Sequence, residues 1–233
     1  GSGGAGFGIR TAAVLAGRSV YPPIIANVEE YDGSSWTEVT NLGTARYNAG
    51  ASGTLTAGHV FGGMTGSNSD TSEEYDGTNW AEGDNINTAR RNAAGLGTQT
   101  AGLYAGGTTT TSVDQTEEYN GSSWTEVSGD LNTARNSLDG CGTQTAGLVA
   151  GGTITANSAL VEEYNGTAWA ESGDIHTVTR DAGVAGIQTD AIYFGGSLAS
   201  GKTAVTLGYD GSVWSTRPSM ATARGNLGFG GTA

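Results

Sequence analysis

A chain of 233 residues with 41 glycines, 3 prolines and a formal charge of −13 is long enough to bury a sizeable core in one domain. The acidity repels phosphate backbones and anionic lipid surfaces, which argues against nucleic-acid and membrane partners. No apolar run approaches the roughly 20 residues of a helical membrane span, and the single cysteine, Cys141, excludes an internal disulfide.

Glycine this dense would signal disorder if it were scattered. Here it is periodic. Trp36, Trp80, Trp124, Trp169 and Trp214 recur at steps of 44, 44, 45 and 45 residues. Each follows a Tyr-Asp/Asn-Gly turn, such as Tyr31-Asp32-Gly33 or Tyr119-Asn120-Gly121. A period in this range, with strand and turn signals and no helix signal, predicts an all-β fold of four-stranded propeller blades. The units are 1–45, 46–89, 90–134, 135–179 and 180–223, and 224–233 repeats the start of a unit.

Along the chain, residues 5–17 align with 94–106, so the N-terminus already encodes an inner strand. The third unit shows the rest of the pattern. Residues 92–98 and 100–105 are short and small-sided and suit the first two strands, closed by Gly106-Gly107. A Thr/Ser loop leads to a third strand over 115–119. Asn120-Gly121 predicts a type I′ turn with positive φ at both central residues. Residues 123–127 then form the outer strand, with Trp124 facing inward. Small inner-strand side chains suit a narrow ring, hence five blades. Each Trp is expected to fill a gap between sheets, burying about 150–250 Å².

Residues 224–233 encode the inner strand a second time. The C-terminal copy is expected to complete blade one, since it follows a Thr-Ala-Arg linker as in the other units and would remove an exposed edge. A monomer is the expectation; exchange of the spare strand between chains would give a dimer. Units so alike are also compatible with a longer natural array.

Chemistry-bearing residues are sparse. Glu29-Glu30, Glu73-Glu74, Glu117-Glu118 and Glu162-Glu163 are neighbours on strands, so each pair points to opposite faces and cannot act on one atom. One of each pair is expected at solvent, the other at an Arg or Thr. Blade five replaces the pair with Leu207-Gly208. His59 and His176 fall at unrelated repeat positions, no cluster has metal spacing, and no nucleophile elbow or phosphate loop is present. Cys141 takes a small inward position and reads as an inert buried thiol. No catalytic residue, metal or cofactor is expected.

The double glycines (Gly62-Gly63, Gly106-Gly107, Gly151-Gly152, Gly195-Gly196), the downstream Tyr and Trp, and an Arg closing each unit (Arg46, Arg90, Arg135, Arg180, Arg224) resemble kelch repeats over essentially the whole chain. The first unit departs, with Ala16-Gly17-Arg18 in place of the pair. Copper-oxidase chemistry, known on kelch-like propellers, would need His and Tyr ligands without counterpart here. The resemblance implies a ligand face on the inter-blade segments, ringed by Arg46, Asn48, Arg90, Arg91, Asn92, Arg135, Asn136, Arg180, Asp181, Arg224 and Asn226. Such guanidinium groups hold carboxylates or sulfates bidentately. The alternative is that each Arg ties blades together, which recurrence in every unit favours. Tyr47, Arg91, Asn136, Asp181 and Gly225 vary between units and are the better specificity candidates, with the loops 64–70, 108–114 and 153–159.

More narrowly, Asn-Thr-Ala-Arg followed by Gly-Thr-Gln-Thr-Ala-Gly is similar to repeats of virion-associated proteins of marine bacteriophages, especially cyanophages. That implies a non-enzymatic structural or binding module on a virion or extracellular surface, with a protein or glycan ligand at the propeller face. A multivalent lectin-like module is the alternative, and a hydrolase or oxidase the remote one.

Overall fold

The computed structural model describes residues 3–20 and 23–227, and its regular structure is all strand. Five four-stranded antiparallel sheets, each in simple sequential order, form a five-bladed β-propeller. Blade one comprises Ala5–Ile9, Ala12–Ser19, Ile24–Tyr31 and Trp36–Val39. Blade two runs from Gly50–Thr54 to Trp80–Glu82, blade three from Ala94–Thr98 to Trp124–Glu126, and blade four from Asp139–Thr143 to Trp169–Glu171. Blade five runs from Gly183–Ile187 to Trp214–Arg217 and carries an extra two-residue hairpin, Ser197–Leu198 with Gly201–Lys202.

The double glycine has a steric cause. In Gly106-Gly107 a Cβ on the first residue would lie 2.7 Å from the Arg135 carbonyl oxygen, while the second donates its N–H to that same oxygen at 2.9 Å. Both residues have positive φ, 70° and 104°. Blades two to five are each pinned in this way to the linker that follows, at a point too close for a side chain.

The outer hairpin differs from the expected type I′ turn. Only Gly121 has positive φ; Asn120 does not. Instead the Asn120 side-chain oxygen accepts the N–H groups of Ser122 and Ser123, both at 2.9 Å. This Asx turn closes a four-residue loop without a left-handed Asn. Asp32, Asp76 and Asp210 do the same, and these bonds hold the exposed Asp32 carboxyl down at about 2.

The core lies between the blades. Phe7 and Val14 pack with Ala51 and Tyr75; Phe61 with Tyr104, Tyr119 and Trp124; Leu96 and Leu103 with Val149, Tyr164 and Trp169; Cys141 and Leu148 with Val184, Tyr209 and Trp214. Those four clusters are the four successive junctions from blade one to blade five. Between blade five and blade one, two apolar side chains that correspond to buried ones elsewhere stay open among the described residues. Trp36 is 50% exposed where Trp124, Trp169 and Trp214 are buried, and Ile192 is 41% exposed where Leu103 and Leu148 are fully buried. Trp36 therefore does not fill its gap as expected.

The inner strand of blade one also differs from expectation. The N-terminal copy forms it: Ala5–Ile9 pairs with Ala12–Ala16 in the register Ala5↔Ala16 to Ile9↔Ala12. At the other end, Leu227, one residue past the left-handed Asn226, donates its N–H to the Asp181 carbonyl at 3.3 Å, so the C-terminal linker also reaches the axis. Residues 228–233 of the expected closing strand lie outside the described residues.

Candidate functional site: the axial mouth

Each linker carries one residue in the left-handed region, Asn48, Asn92, Ser137, Asp181 and Asn226, with φ between 53° and 56°, and the first four turn into blades two to five. Short polar side chains tolerate this backbone best, which explains Asn and Asp there. The first four of these residues, with Gly3, are stitched together around the axis. The N–H of Asn48 bonds the Gly3 carbonyl at 2.7 Å, Asn92 bonds Asn48 at 3.0 Å, Ser137 bonds Asn92 at 2.8 Å and Asp181 bonds Ser137 at 2.9 Å. The backbone bonds are spent on the ring, so the amide, hydroxyl and carboxyl side chains border a recess of about 310 Å³. Tyr47 and Asp139 complete its polar lining, and glycines and alanines of the inner strands form its wall.

Asp139 was not singled out from the sequence. Its register partner Ala150 places it where other blades have Ala5, Gly50, Ala94 and Gly183, so the signal was a lone carboxylate at an otherwise small position. The carboxyl accepts the Val184 N–H at 2.9 Å, and desolvation pushes it well above the usual carboxylate range. Asp181 is shifted up too, chiefly by burial and partly offset by Ser137 and Arg180. The mouth thus presents carboxyl, amide and hydroxyl groups in place of the guanidinium ring expected from the sequence.

The predicted arginines divide. Arg46, Arg90 and Arg135 are buried and do not ring a ligand face. Arg46 pairs with Glu73 at 2.9 Å, Arg90 with Glu117 and Arg135 with Glu162. In each case the same carboxylate accepts linker N–H groups, as Glu162 does from Asn132 at 2.7 Å. These pairs clamp a linker onto its own blade.

Arg180 is out of register with them. Thr179 takes the Arg position, for its carbonyl accepts Gly152 N–H at 2.9 Å as the Arg135 carbonyl accepts that of Gly107. Arg180 corresponds instead to Tyr47, Arg91, Asn136 and Gly225, and sits half-exposed 3.3 Å from Asp181. Arg224 is exposed. Asp181 accordingly belongs with Asn48, Asn92 and Asn226 at the mouth, not with the variable row. In that row Arg91 bonds Asn68, and Asn136 bonds Ser112 at 2.8 Å, tying the rim to the loops 64–70 and 108–114.

The second glutamate of each pair is not free at solvent. Tyr75, Tyr119, Tyr164 and Tyr209 donate their hydroxyls to Glu30, Glu74, Glu118 and Glu163 of the preceding blade, at 2.6 to 2.9 Å. His59 is buried among Phe61, Tyr119 and Trp124, and burial lowers its pKa to about 3. Burial likewise pushes the Cys141 thiol up. Among the described residues no group of three His, Cys, Asp or Glu could hold a metal ion, and no helix is long and apolar enough to cross a membrane.

The fold and mouth define a five-bladed β-propeller with a polar axial recess. Compared with known proteins, the chain matches no family model and no curated protein.

Proposed function

We propose that the protein is a non-enzymatic binding module that takes a hydroxyl- or amide-rich ligand at the axial mouth. One observation carries this reading: five backbone-locked polar side chains converge on a single recess, with every linker contributing one. A rigid ring that has already satisfied its own backbone bonds offers side-chain donors and acceptors at little ordering cost. Rim residues Tyr47, Arg91, Asn136 and Arg180 differ from blade to blade, which suits an asymmetric ligand. The kelch-like repeats support a protein ligand, and the likeness to phage virion repeats supports a host-surface glycan and a virion setting. Glycan is the class the Asn, Ser and Asp lining fits best.

The test is a glycan-array screen of the purified chain beside Asn92→Gly, which keeps the left-handed backbone and removes the amide. Saturable binding to one sugar class, lost in the variant, supports the reading. Binding that survives the variant moves the site elsewhere, and no binding turns the search to protein ligands. A second, hydrolytic reading draws on Asp139 alone, a carboxyl in the mouth whose pKa burial raises. Turnover of a bound glycan that Asp139→Asn abolishes would put that reading first.

A further inference from the structure

The unsealed junction has two complementary sides. In blade five, Ala185, Ala191 and Ile192 border a recess of about 470 Å³ with Gly208, Arg217 and Asp190 at its margin. Pair registers equate Ile192 with His59, Leu103 and Leu148, the residues on which the next blade packs. Trp124, for example, lies 5.6 Å from His59 of the preceding blade. The blade-five recess is therefore the seat of a following blade's tryptophan. Blade one presents the matching tryptophan, Trp36, tilted by 34° against Tyr31 with ring centroids 5.2 Å apart and half exposed.

Charge agrees with this. Gln99, Gln144 and Gln188 each reach back to two carbonyls of the preceding blade, and blade one has Arg10 at that position. The second strand of blade five begins with Asp190 where blades two to four have Ala57, Ala101 and Ala146. Arg10 and Asp190 are both exposed. Arg217 lies over Gly208 on the blade-five side, while on the blade-one side Glu29 is paired with Arg18 at 3.2 Å and Glu38 accepts from Asn27 at 2.6 Å. The complementary charges on the two faces are thus Arg10 on blade one and Asp190 on blade five, at corresponding places. The chain's own blade one does not take the seat, and at the axis the Asp181 carbonyl is already bonded to Leu227.

We propose that this seam is a self-association surface on which the blade-one face of a second copy, led by Trp36, docks against blade five. The contact is head-to-tail, so the assembly keeps one free face of each kind, one at either end, and is open-ended unless the rotation closes.

Sedimentation velocity of the full chain over a wide concentration range is the test, with Trp36→Ala removing the knob and Ile192→Asp spoiling the seat. Both positions are about half exposed, and melting curves check that both variants fold. The wild type is expected to grow in mass with concentration, and each variant to weaken association by about tenfold or more. An equimolar mixture of the variants should restore a capped dimer, because one intact face of each kind remains. A wild type that stays monomeric overturns the proposal, whether acrylamide quenches Trp36 or finds it shielded by the chain's own ring. Assembly that survives both variants overturns it as well.

Discussion

Arg135 and Glu162 are both fully buried and face each other as an ion pair, and blade five carries Thr179 and Leu207 in the same two places. The two substitutions occur together. A buried charge is tolerable only with its partner, so a repeat that loses the carboxylate must also lose the guanidinium. Blade five shows that the linker can be held without either: Thr179 bonds the Tyr193 hydroxyl and Leu207 joins the apolar core.

The pair is therefore expected to respond non-additively. Glu162→Leu alone should cost about 3–5 kcal/mol, because Arg135 stays behind unpaired. Adding Arg135→Thr should recover a large part of that loss, reproducing the blade-five arrangement. Urea denaturation of the two single variants and the double gives the coupling energy directly. A double variant no better than the sum of the singles would refute the clamp.

The junction tyrosines give the protein an alkaline limit. Burial first, then the hydrogen bond to a carboxylate of the preceding blade, raises the phenol pKa of Tyr75, Tyr119 and Tyr164 above its ordinary value. A folded-state pKa raised above the unfolded one adds stability that is complete below about pH 10 and is lost as pH rises past it. Melting temperature should accordingly fall above about pH 10. Tyr119→Phe should lower stability near neutrality by about 1–3 kcal/mol and flatten that decline, since Glu74 then has no phenol to accept from. An unaltered alkaline slope in the variant would count against the assignment.

His59 works in the opposite pH direction. Desolvation, with a smaller push from Arg46, lowers its pKa to about 3, so the folded protein holds it neutral while the unfolded chain protonates near 6.5. A depressed base contributes stability that is lost as pH falls below the unfolded value towards the folded one. Neither ring nitrogen has a hydrogen-bond partner. His59→Leu, which copies Leu103 and Leu148, should raise stability at neutral pH by about 1–3 kcal/mol and remove a destabilisation between about pH 6 and pH 4. Chemical denaturation at both pH values measures the difference.

Much of this architecture was legible in the chain. The tryptophan period, the Asp/Asn-Gly turns and the double glycines gave blade number and strand order, because each reflects a local need that recurs once per unit. Alternation on the third strand separated Glu162 from Glu163 onto opposite faces, and the structure finds one on Arg135 and the other on Tyr209. What misled was register. Counting arginines placed Arg180 with Arg135, whereas backbone bonding puts Thr179 there, and a motif read by residue type cannot detect a one-residue offset. The Asx turns were missed for a similar reason, since Asn120-Gly121 is compatible with more than one four-residue closure.

The sequence alone determined the repeat, the strand alternation and the places where only glycine fits, since these depend on near neighbours in the chain. The tertiary structure decided which side chains meet across blades. It buried Arg46, Arg90 and Arg135 against carboxylates 27 residues away, gathered five linker residues and Asp139 at one axial mouth, and left Trp36 and Ile192 unsealed at the last junction. Those outcomes depend on how five sheets pack around one axis, a property of the ring that no single repeat contains.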